Sequence, residues 1–114
     1  MKEQCELYQR FINLALAAEE MEAFPALTLV ESRILSLLST YWSKRQPITV
    51  VESINMAPEI STSTVFRHLK TLRRKGYVDV IIDTEDNRVK FLTPTHLTNR
   101  YFAMMGKLMM KAMK

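Results

Sequence analysis

Residues 61 to 74 carry the side chains in this sequence whose types and spacing are best suited to reading an anionic, base-paired surface. Ser61, Thr62 and Ser63 supply short hydroxyls, and Phe66, Arg67, Lys70 and Arg74 follow at helical intervals. If Val65, Leu69 and Leu72 form a buried stripe, a rotation of about 100° per residue puts Ser63, Arg67, Lys70 and Arg74 near the opposite face. Phe66 and Thr71 flank that face. Residues 60–78 contain five bases and no acid. In a major groove, Arg67 could bind guanine O6 and N7 bidentately, and Phe66 could meet a thymine methyl. Ser61, Thr62 and Ser63 could donate to phosphates or base edges near a helix N-terminus. Lys70 and Arg74 suit phosphates, which position a protein without specifying sequence. The alternative is an ordinary solvated basic helix.

A second cluster follows at Asp86-Asn87-Arg88-Val89-Lys90. Arg88 could enter a minor groove, whose negative potential attracts arginine. Asp86, two residues earlier, could bond the loop and orient Arg88, and Lys90 is a candidate phosphate contact. An exposed Asp–Arg pair of little consequence is the bland alternative. Asp83, Glu85 and Asp86 would repel a polyanion if all faced it, so only the Arg88 side is expected to approach one.

Other chemistry has little support. One cysteine, Cys5, makes no internal disulfide, and His68 and His96 stand apart with no third ligand, so no metal site is expected. Two glycines exclude glycine-rich phosphate cradles. No nucleophile–base motif or apolar carboxylate pair suggests an enzyme, and no cofactor is expected.

These side chains need positioning elements. A chain of 114 residues, 47% hydrophobic and 25% charged, is one domain's worth of foldable sequence. Leu7, Phe11, Leu14, Ala18 and Met21 recur at spacings of three and four and predict a helix over about residues 3–22. Thr28-Leu29-Val30-Glu31 and Thr49-Val50-Val51-Glu52 are both capping boxes. The first opens a helix ending near Ser43; the second opens a short helix reaching about Met56. Residues 61–75 form the next helix, with Gly76 at its left-handed C-terminal cap. Tyr77–Ile82 and Arg88–Leu92 read as strands about a polar turn. Thr93-Pro94 predicts a capped last helix over about residues 94–113.

This order is mostly α with a small β-hairpin (α+β), a winged helix-turn-helix with a recognition helix over 61–75 and a wing over 78–92. The chain resembles the MarR-type transcriptional regulators. The matching stretches are Leu27-Thr28 through Trp42, Ser61 through Val78 with its Leu-x-x-x-Gly-Tyr-Val ending, and Asp86-x-Arg88 followed by Leu92-Thr93. The resemblance spans roughly residues 27–95. It implies sequence-specific binding of double-stranded DNA, usually as a repressor, and the same roles for Asp86 and Arg88. The chain departs from the family pattern in two places. Only about twenty residues follow Thr93, and Val50-Val51-Glu52-Ser53-Ile54 stands where Leu-Ala is usual. Some peroxide-sensing relatives use a first-helix cysteine with tyrosine partners. Tyr8 lies three residues after Cys5, but Glu3 and Glu6 disfavour a thiolate and the chain has no second cysteine, so an inert cysteine is expected.

Charge sharpens the picture. Residues 1–59 hold five bases and eight acids, a balance of −3, whereas residues 60–114 hold eleven bases and four acids, a balance of +7. The expected organisation is a single winged-helix domain, 1–114, with a core at 27–93 and helical extensions at 1–24 and 94–114. The stripes Leu7/Phe11/Leu14 and Leu97/Tyr101/Met104/Leu108 need burial, and a homodimer would supply it, spacing two recognition helices about one DNA turn apart. Packing of the two terminal helices on each other is the alternative. A small-molecule effector could sit among Phe11, Phe24, Tyr41 and Trp42, which also suit plain core. A winged-helix protein-docking module without DNA binding is the alternative function. With no membrane-spanning run and no signal peptide, a cytoplasmic location and no membrane partner are expected.

Overall fold

The computed structural model describes residues 1–114. Its elements run α1 (Lys2–Glu20), α2 (Leu29–Ser43), α3 (Val50–Ser53), α4 (Thr62–Arg74), β1 (Val78–Ile82), β2 (Lys90–Pro94) and α5 (His96–Ala112). Two units emerge, residues 27–98 and residues 1–26 with 99–114, so the division falls within the first turn of α5.

The 27–98 unit is the winged helix. Both capping boxes form: Thr28 accepts from the Glu31 amide and Glu31 returns a bond to the Thr28 amide, and Thr49 and Glu52 do the same. Each box satisfies two amides that a helix start leaves without partners. Ile34, Leu35 and Leu38 of α2 are buried with Val65, Leu69 and Leu72 of α4, and Ile48, Tyr77, Val78 and Leu92 close the core. Side chains of this size contribute about 1.5–3 kcal/mol each when fully buried. Gly76 has φ +89°, a conformation that costs glycine little and lets the chain turn from α4 into β1.

β1 and β2 are antiparallel, with Val80 opposite Leu92 and Ile82 opposite Lys90. The Leu92 amide donates outward to the Ile48 carbonyl at 2.9 Å, and Thr49 bridges Phe91. On the other strand the Val80 amide donates to the Asp79 carboxylate at 2.8 Å. Trp42 Nε1 donates to the Leu92 carbonyl at 3.1 Å, so a half-buried Trp42 ties the end of α2 to β2.

Several expected boundaries move, among them the second strand, which runs Lys90–Pro94 rather than Arg88–Leu92 because the Asp86–Arg88 pair and the turn occupy the residues before it. α3 stops at Ser53 rather than near Met56, because Asn55 bonds the Val51 carbonyl with its side chain and the Glu52 carbonyl with its amide. Such local side-chain bonds compete with helix propagation. Pro94 ends β2 instead of opening the last helix. It sits opposite Val78 at the strand's end, where a missing donor is tolerated. Thr95 takes the capping role, accepting from the Thr98 amide at 3.2 Å, and α5 starts at His96. The Thr95 hydroxyl donates to the Gly76 carbonyl at 2.6 Å, and the buried Thr98 hydroxyl donates to the Tyr77 carbonyl.

In the other unit, Arg10 Nε donates to the Ala112 carbonyl at 2.8 Å, satisfying one of α5's terminal acceptors. Phe24 meets Tyr101 edge-on at 5.6 Å. Burial, reinforced by the Glu19 carboxylate, pushes the Tyr101 phenol above its usual range. No helix is long and apolar enough to cross a membrane.

Candidate nucleic-acid interface

α4 presents the face its sequence promises. Val65, Leu69 and Leu72 point into the core, while Ser61, Thr62, Ser63, Phe66, Arg67, Lys70 and Arg74 are all exposed. Ser61 is the N-cap. Its oxygen accepts from the Thr64 amide at 3.3 Å and its proton goes to Thr64 Oγ1 at 2.7 Å. That hydroxyl is committed to starting the helix, which leaves Thr62 and Ser63 as the exposed hydroxyls of the first turn. No acid occupies that turn, so the positive end of the helix dipole is not neutralised there. Arg73 and Arg74 sit in the last turn, where cations are favoured. Arg73 is exposed beside the predicted set. Its position about 80° from the buried stripe was the only available signal.

The ammonium of Lys70 stands 4.6 Å from the centroid of the Phe66 ring. This is a cation–π contact between residues four apart on one helix. Phe66 remains 43% exposed.

Lys75 does not join the basic face. Its Nζ bonds Glu31 Oε1 at 2.6 Å, and the Glu31 side chain is 1% exposed. Burial pushes the Glu31 carboxyl up, but bonds from Lys75 and Thr28 outweigh it and hold the group below the usual carboxylate range. This pair joins the start of α2 to the end of α4. Sequence spacing of 44 residues gave no sign of it. At the other end of α4, Arg33 reaches Glu59 at 3.0 Å on the surface. Its own amide and the Arg33 guanidinium keep the Glu59 carboxyl low.

On the hairpin, Asp86 and Arg88 form the expected pair in full. Arg88 Nε and Nη2 donate to the two Asp86 oxygens at 3.0 and 3.1 Å, and the Arg88 amide donates to Oδ1 at 3.0 Å. Arg88's side chain and backbone hold the Asp86 carboxyl below its usual range, and Asp86 raises the Arg88 guanidinium. The Arg88 side chain stays 87% exposed, so the clamp fixes direction without hiding the charge. Lys90 is exposed on β2. Asp83 accepts from the Glu85 amide, which accounts for one of the turn's acids.

His68 is half-buried on α4 and His96 is exposed at the start of α5. No group of histidine, cysteine and acids is arranged to hold a metal, and Cys5 is a free, exposed thiol. Of the stripes assigned to a dimer, Leu7, Phe11 and Leu14 on α1 and Leu97, Tyr101, Met104 and Leu108 on α5 are all half-buried within the single chain. The more exposed apolar side chains of α1 and α5 are Tyr8, Leu16, Met109 and Met110.

Comparison with known proteins bears on the family and the fold. The MarR family model matches residues 27–90, more than half of the chain. The structure of the adhesin competence repressor AdcR from Streptococcus pyogenes is 25% identical, with TM-score 0.56, over 88% of this chain and 69% of that one. The heme sensor protein PefR from Streptococcus agalactiae, solved with heme, is 19% identical with TM-score 0.58, over 98% of this chain and 73% of that one. A mutant MarR from E. coli bound to operator DNA is 18% identical with TM-score 0.56, over 94% and 65% of the two chains. No curated protein sequence matches the chain.

Proposed function

The chain belongs to the MarR family of DNA-binding transcriptional regulators, and from that premise we propose that it is a homodimeric repressor that recognises a specific duplex sequence. Helix α4 lies in the major groove and the hairpin reaches the minor groove. Arg67 reads a base edge, Ser63, Lys70 and Arg74 fix the register on phosphates, and Arg88, aimed by Asp86, enters the minor groove. Lys90 meets a flanking phosphate. The observation that carries this reading is the acid-free exposed face of α4 beside a hairpin whose arginine is clamped outward.

Pairing of two chains through α1 and α5 rests on their remaining apolar exposure at Tyr8, Leu16, Met109 and Met110. Five of the eight methionines lie in residues 104–113, and flexible thioethers suit such a surface. Repression follows as steric occlusion of the bound site. Action in the cytoplasm goes with this role, and a small-molecule effector is a further part of the proposal with no assigned site.

The test is a salt series of binding to random duplex DNA, with the mass of the complex measured alongside. A dimer is expected, with affinity falling steeply as salt rises by about 0.9 in log–log slope for each phosphate neutralised. Arg67→Ala and Arg88→Ala should weaken it. Absence of binding even at low salt would overturn the proposal and turn attention to the same faces as protein-docking surfaces.

A further inference from the structure

Phe66 is the one large apolar side chain that α4 leaves in solvent, because Val65, Leu69 and Leu72 occupy its core stripe. It sits one turn past the Ser61 cap, on the side of the helix shared with Ser63 and Lys70. An exposed phenylalanine adds nothing to α4 as a helix, since its propensity is below that of alanine or leucine. The ring is nonetheless held in place: the Lys70 ammonium lies over it at 4.6 Å. One face is thereby covered by a cation that also suits a phosphate, leaving the rest of the ring for an apolar partner. The surroundings are basic and free of acids from residue 60 to residue 78, so that partner belongs to a polyanion. In a major groove the apolar group on offer is the C5 methyl of a pyrimidine.

We propose that Phe66, positioned by Lys70, reads the C5 methyl of one pyrimidine in each half-site, so that the protein distinguishes thymine from uracil, and 5-methylcytosine from cytosine, at that position. The inference rests on the DNA-binding reading above and extends it from a docking face to a chemical group. Lys70 acts on the methyl through Phe66. In the complex its charge bridges the ring and the adjacent phosphate.

The experiment selects a bound duplex from a random pool with the full chain. It then measures affinity for versions in which each thymine in turn is replaced by deoxyuridine. Removing the methyl that Phe66 covers should weaken binding about fourfold, the factor corresponding to about one buried CH₂. Phe66→Ala should bind the thymine and uracil forms equally, and its melting temperature, measured alongside, should stay above the assay temperature because Phe66 lies outside the core stripe. Lys70→Met keeps an apolar stem without the charge. It should lower the discrimination below about twofold and reduce the salt slope by about one.

Equal binding of thymine and uracil forms at every position, with DNA binding intact, overturns the methyl reading alone. Discrimination that persists in Phe66→Ala does so too, by assigning the methyl to another residue. Discrimination undiminished in Lys70→Met removes the positioning role of Lys70. Failure to bind any duplex at low salt overturns the DNA-binding reading, and this one with it.

Discussion

Replacing Lys75 by methionine should destabilise the winged-helix unit by about 2–3 kcal/mol near pH 7. Breaking a buried ion pair by removing one partner commonly costs about 3–5 kcal/mol, because the surviving charge stays buried. Here the Glu31 side chain is 1% exposed, but the Lys75 side chain is 29% exposed and the Thr28 amide still donates to the same carboxylate oxygen at 2.7 Å. Both facts pull the cost towards the lower end. Glu31→Gln should cost less, about 1 kcal/mol, because it leaves no buried carboxylate behind and glutamine can still close the capping box.

The double variant should lose less than the sum, with a coupling of about 1–2 kcal/mol. The pH dependence has a definite sign. In the native protein the Glu31 carboxyl is held below its reference value of 4.5, so its contribution is present above that pH and is lost as the pH falls through the lowered value. Removing Lys75 takes away its bond and its charge while burial stays, so the carboxyl moves up from its native position and the Lys75→Met deficit should shrink on acidification as Glu31 takes a proton. Urea unfolding at fixed chain concentration, compared at about pH 7 and about pH 5, measures both quantities. A coupling below about 0.5 kcal/mol, or a deficit that grows towards low pH, would refute the account.

Gly76→Ala should cost about 1–2 kcal/mol by thermal unfolding, purely through the backbone, since an added Cβ would meet nothing within 4 Å at φ +89°. Arg45→Gly should do the opposite, gaining up to about 1 kcal/mol, because Arg45 holds φ +55° in the turn that ends α2. Thr98→Val should lose about 1–3 kcal/mol, since it leaves the Tyr77 carbonyl without its hydroxyl donor in a buried site. On the proposed DNA-binding role, Asp86→Asn should leave the melting temperature unchanged, because the pair is exposed, yet weaken DNA binding in a gel-shift titration by releasing Arg88.

Local signals in the sequence located most of this architecture. Both capping boxes, the Ser61 cap, Gly76 and the Val65/Leu69/Leu72 stripe depend on residues within one or two turns of each other, and all appear as expected. Asp86 and Arg88 were readable for the same reason. What escaped depends on partners far along the chain. Nothing local marks Lys75 as the base that turns inward, since Glu31 is 44 residues away. Pro94 has the look of a helix start, and only its pairing opposite Val78 makes it a strand end. Lys70 and Phe66 were visible as separate groups. Their contact depends on rotamers that composition does not specify. For α1 and α5 the stripes mark which residues seek burial; how much of that burial one chain achieves depends on tertiary packing that spacing does not encode.

A two-stranded ribbon ordinarily invites a third strand, because each outer edge offers unpaired amides to any extended segment that drifts past. Here the middle rung is blocked on both sides. Leu92 and Val80 face each other, and their outward amides go to the Ile48 carbonyl and to the Asp79 carboxylate. The carboxylate also sets a negative charge on the free edge, where a neighbouring chain's ribbon would have to dock. A strand docking beside the exposed Ile81 and Ile82 would therefore have to displace the Asp79 bond at this rung. Asp79 thus places a charge and an occupied amide on the edge of β1, the arrangement by which sheet edges are made unattractive to further strands.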